Sequence, residues 1–69
     1  MNIYDPMSPN AGEVIYDAMD TVHAGWIVLD YFRGNLLAQP VPLHDFVYNG
    51  AQVEFIGRFG DVFILKWAN

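Results

Sequence analysis

The chain has 69 residues, three Lys or Arg against eight Asp or Glu, a formal charge of −5 and no cysteine. That length holds one small domain over 1–69 and is too short for an enzyme with separate cofactor and substrate lobes. Three cations cannot neutralise a run of phosphates or an anionic lipid surface, which argues against nucleic-acid and membrane partners, and without cysteine there are no disulfides, thiolate zinc sites or thiol nucleophiles.

No apolar run approaches the ~20 residues of a membrane span, and the first residues carry no basic region followed by an apolar core, so the expected location is cytoplasmic, that of the host cell if the protein is phage-encoded. A hydrophobic content of 54% with 16% aromatics excludes disorder. Thirty-one large apolar side chains are more than such a domain covers, because it buries only roughly 60% of the surface its unfolded chain exposes. A contiguous apolar surface patch is therefore expected, and with it a protein partner or a homodimer.

Residues 1–10, with Pro6, Ser8, Pro9 and Asn10, read as an irregular lead-in. Val14, Ile15, Ala18, Met19 and Val22 recur at helical spacing and predict a helix over 11–24, with Asn10 and Glu13 as a capping box and Gly25 as a left-handed C-terminal cap. Glu13, Asp17 and Asp20 fall at i, i+4 and i+7, an acidic stripe with no basic neighbour to pair with it.

The period then turns extended, and 26–67 predicts an antiparallel sheet of four or five strands. Residues 26–32 are rich in β-branched and aromatic side chains, and Arg33-Gly34-Asn35 is a tight connection into a strand over 36–39. Pro40 and Pro42 bracket Val41 and imply an edge or a crossing segment. Residues 45–48, Asn49-Gly50 and 51–56 form the clearest hairpin signal, since both central residues of a type I′ turn need positive φ. Gly57-Arg58-Phe59-Gly60 predicts the next turn, leading into a strand over 61–67 whose 62–65 run is apolar on both faces. Such a strand is expected to be central, or else to pair or pack against a copy of itself. The class is α+β, one helix on an antiparallel meander, with a bend into a small SH3-like barrel as a variant.

Catalytic patterns are weak. His23 and His44 are the only imidazoles. His23 stands where a cation suits the helix C-terminus, while His44 and Asp45 point to opposite faces in a strand. Ser8 and Thr21 have no partner pattern of a nucleophilic triad. Gly57-Arg58-Phe59-Gly60 joins strands, so it lacks the helix N-terminus that binds phosphate. No catalytic residue, metal or cofactor is expected.

What remains is an asymmetry: five acids and no cation precede Arg33. Asp5, Glu13, Asp17, Asp20 and Asp30, with Tyr16 and Tyr31 as aromatic anchors, form the expected partner-binding set for a basic protein. By analogy of size and charge, the expectation is a small acidic phage or mobile-element inhibitor, of the anti-CRISPR or DNA-mimic type, on a host nucleic-acid-processing protein. The second expectation is a structural, oligomerising module acting through homodimerisation.

Overall fold

The computed structural model describes residues 2–32 and 37–69. Their architecture is α+β: strand β1 (Asn2–Tyr4), helix α1 (Ala11–Thr21), then strands β2 (Ala24–Asp30), β3 (Phe46–Tyr48), β4 (Ala51–Phe59) and β5 (Val62–Ala68). The five strands make one open sheet in the order β1-β2-β5-β4-β3. It does not close into a barrel.

The sheet is mixed, which departs from the expected all-antiparallel meander. β1 runs parallel to β2, with Ile3 opposite Val28 and Tyr4 opposite Leu29, and α1 is the crossover that a parallel pair requires. The lead-in is therefore partly a strand. Its three residues are too few to show a period, and only the neighbouring strand stabilises them.

The helix ends at Thr21, and Val22 is already extended at φ −117° and ψ 133°. Neither expected cap forms. Asn10 makes no side-chain cap to α1 and instead accepts the Ser8 hydroxyl at 2.7 Å. Gly25 lies inside β2 and is absent from the positive-φ glycines, Gly50 and Gly60. Its reason is contact: a Cβ there would fall 2.7 Å from Cζ2 and 2.9 Å from Cζ3 of the Trp67 indole. Trp67 is nearly fully buried, and its ring N–H donates to the Val22 carbonyl at 3.0 Å.

β2 pairs with β1 and β5, and no strand occurs at 37–39, so the expected hairpin partner is wrong. The Arg33-Gly34-Asn35 connection lies outside the described residues. Residues 37–45 cross the sheet on the side of α1, which is the crossing that Pro40 and Pro42 imply. Val41 is buried in the core, the Tyr31 hydroxyl donates to the Ala38 carbonyl at 2.7 Å, and a Cβ on Gly12 would meet the Pro40 carbonyl oxygen at 3.1 Å.

The Asn49-Gly50 turn is as expected, with φ of 50° and 86° between the paired Tyr48 and Ala51. The next turn is not at 57–60. Phe59 pairs with Val62 and a two-residue loop of Gly60 and Asp61 reverses the chain, while Gly57 marks a bulge between Phe55 and Gly57. A glycine inside a strand is the known mark of such a bulge. β5 is central, as its two apolar faces require.

One face of the sheet carries the core. Ile27, Leu29, Phe63, Leu65, Trp67 and Val53 pack with Ile15 and Met19 of α1. The register sends Ile3, Trp26, Val28, Ile64, Lys66 and Glu54 to the other face, where no described element lies across them.

Candidate functional site

α1 turns Ile15 and Met19 inward, so Glu13, Asp17 and Asp20 lie on its exposed side. Tyr16 lies one turn from Asp20 and meets Tyr48 of β3 with ring centroids 4.5 Å apart at 39°. Asp20 is held from both sides: the Tyr48 hydroxyl donates to Oδ2 at 3.1 Å and Asn49 Nδ2 donates to Oδ1 at 3.3 Å. This tether links the helix to the β3–β4 turn. It also explains an acid in the last turn of a helix, where the dipole disfavours it. Beside the tether, Tyr16 and the 39–44 segment line an open groove of about 420 Å³.

The expected partner-binding set does not come together as one surface. Tyr31 is core, 3% exposed, with its ring edge-on to Phe63 at 5.2 Å, so it is not a surface anchor. Asp30 ends β2 on the face away from the helix and accepts the Phe32 N–H at 2.9 Å. Asp5 accepts the Met7 N–H at 2.9 Å in the turn after β1. Glu13 and Asp17 are the two helix acids whose carboxylates have no hydrogen-bond or ion-pair partner among the described residues.

Both imidazoles are in use. His44 Nδ1 lies 2.8 Å from the Asp45 carbonyl, to which it donates, while Asp45 Oδ1 accepts the Phe55 N–H at 2.7 Å where β3 stops covering β4. His23 Nδ1 lies 2.8 Å from Asn69 Nδ2. Among the described residues no three potential metal ligands converge, no charged side chain is buried and no helix is long and apolar enough to cross a membrane.

Two tyrosines are poised against ionisation. Burial raises the Tyr31 hydroxyl above the usual 10. Tyr48 is also raised, first by desolvation, then by its hydrogen bond to Asp20 and the negative charges of Asp20 and Asp17. The folded state thus keeps both protons longer than the unfolded chain does. Their stabilisation is complete below pH 10 and is lost as pH rises through the raised folded values. Urea midpoints should be level from pH 8 to 9.5 and fall by pH 11, and Tyr31→Phe with Tyr48→Phe should flatten that fall. An equal fall in the double variant would remove the assignment.

A feature of the other face went unread in the sequence. Trp26 in β2, Lys66 in β5 and Glu54 in β4 stand side by side in register. Lys66 Nζ is 3.5 Å from Glu54 Oε2 and 5.9 Å from the Trp26 ring centroid. The period of two over 62–66 and 52–54 was visible, but which strands are neighbours was not. Comparison with protein-family models, curated proteins and solved structures gave no match.

Proposed function

We propose that the protein is a non-enzymatic binding module, a small acidic inhibitor of the DNA-mimic kind that phages and mobile elements carry. In this reading the outer side of α1 occupies a basic surface of a host nucleic-acid-processing protein. The supporting observation is the pair Glu13 and Asp17, exposed carboxylates with no partner among the described residues on a helix with no basic side chain in its last turn. Such charge, left uncompensated within the fold, steers a basic partner and raises its rate of encounter. Tyr16 and Tyr48 supply an apolar edge beside it to slow release. An acidic surface that serves only solubility predicts no partner at all.

Asp20 is a poor site for the test because Tyr48 and Asn49 depend on it. The informative variant is Glu13→Gln with Asp17→Lys. A basic protein recovered from bacterial lysate at low salt should be released as salt rises, and should compete with nucleic acid for the same surface. The variant should slow association about tenfold while its thermal midpoint stays near that of the parent. A complex indifferent to both salt and the substitutions would overturn the reading.

A further inference from the structure

The sheet face opposite α1 is apolar, and no described element covers it. Ile3 is 72% exposed, Val47 65% and Phe59 61%, and Trp26 and Ile64 extend the same surface across β2 and β5. At the β3–β4–β5 end, Val47, Gln52, Glu54, Lys66 and Ala68 line a groove of about 500 Å³. We propose that this face binds a second copy of the same chain, two sheets packing back to back about a two-fold axis that passes beside Lys66 and Glu54.

Charge is the first reason for that occupant. A two-fold interface must be complementary to itself, and the central row of this face holds one cation and one anion next to each other. Rotation sets Lys66 of each copy against Glu54 of the other, so the row is matched by its own image. A strongly basic partner would meet Lys66 in the middle of the patch, and a strongly acidic one would meet Glu54. The other acids on this face lie outside that row: Asp30 sits at the end of β2, and Asp45, at the rim of the groove, has its carboxylate engaged by the Phe55 N–H.

The distribution of the remaining charge is the second reason. Each copy carries −5, which opposes self-association, yet Glu13, Asp17 and Asp20 lie beyond the helix layer. With sheets packing ~10 Å apart and a helix layer behind each, the two stripes stand on the order of 30 Å from each other, several times the ~8 Å screening length at physiological salt. Contact through the helix faces would bring those stripes together.

Area sets the strength of the contact. The five strands hold 29 residues, and at ~4.8 Å between strands and ~3.3 Å per residue they present a face on the order of 450 Å² per copy. The pair buries about 900 Å², below the ~1,200 Å² at which stable interfaces begin and in the class of weak, reversible associations. β5 takes part through its side chains alone, because its backbone is paired on both sides by β2 and β4. It therefore packs against its copy and does not pair with it.

The test is sedimentation velocity across a concentration series. The wild-type chain should pass from its 7.8 kDa mass to twice that value over the micromolar range. Glu54→Lys and Lys66→Glu should each be monomeric where the parent is dimeric, with dissociation constants raised at least about tenfold. Mixed in equal amounts, the two variants should form a dimer, since the lysine introduced in one then faces the glutamate introduced in the other. Thermal unfolding of each single variant checks that it is folded, and Val47→Asp, at an exposed position on the same face, should also give a monomer. A wild-type monomer at several hundred micromolar, or a dimer that Glu54→Lys and Val47→Asp leave intact, would overturn the proposal. So would a mixture that stays monomeric. A dimer broken by Asp17→Lys instead would place the contact on the helix and refute this face.

Discussion

Gly25→Val is expected to destabilise the protein by about 3 kcal/mol, within the range of overpacking combined with displacement of a buried side chain. The Trp67 indole occupies the volume a Cβ would need, its Cη2, Cζ2 and Cζ3 all closer than real Cβ contacts allow. Trp67 cannot swing aside cheaply. It is buried, its N–H is committed to the Val22 carbonyl, and it lies against Val53 of β4 by register. A domain of this size holds on the order of 5 kcal/mol in total, so the variant should lose more than half of its stability. Urea denaturation followed by Trp67 and Trp26 fluorescence measures it, and Gly25→Ala should give a smaller loss of the same kind. If Gly25→Val unfolds at the parent's midpoint, the close approach of glycine and indole is wrong.

Leu65→Ala should cost about 3 kcal/mol through lost burial and the cavity left behind. Leu65 is fully buried and stands in the middle strand, flanked by Ile27 of β2 and Phe55 of β4, so its neighbours cannot close in from a free edge. Ile64→Ala, one residue earlier and on the other face, should cost less than half as much when measured on dilute monomer, because that side chain is only partly covered by its own chain. Equal losses in dilute solution would mean that both faces are covered within a single chain. The comparison is made from midpoints at constant m, which keeps changes in the unfolded state out of the difference.

The elements legible in the sequence were those with local signals. Asn49 and Gly50 turn because each tolerates positive φ, and the flanking apolar runs mark the two strands the turn joins. The 62–65 run is apolar at every position, which fits a middle strand with one face on the core and the other in the open apolar face. The helix was legible for the same reason, through the spacing of Ile15, Ala18 and Met19. Its ends were not. Gly25 has the composition of a cap, yet its lack of a side chain answers to Trp67, far along the chain in β5.

The acids were read as one patch because they are near in sequence. Folding separates them: Asp5 and Asp30 accept backbone N–H groups in turns, Asp20 ties the helix to Tyr48 and Asn49, and Tyr31 goes inside. Glu13 and Asp17 remain from that set as acids not bound to the fold.

Composition and local pattern by themselves determined that this is one small α+β domain, acidic, and carrying more large apolar side chains than it can bury. Only the tertiary structure decided where the surplus goes. Local spacing sets which residues share a face of a strand, but strand order sets which faces adjoin, and that order depends on contacts between residues far apart in the chain. The parallel placement of β1 beside β2 and the Trp26–Lys66–Glu54 row both arise from such pairings, so the open apolar sheet face and the acidic stripe lie on opposite sides of the molecule.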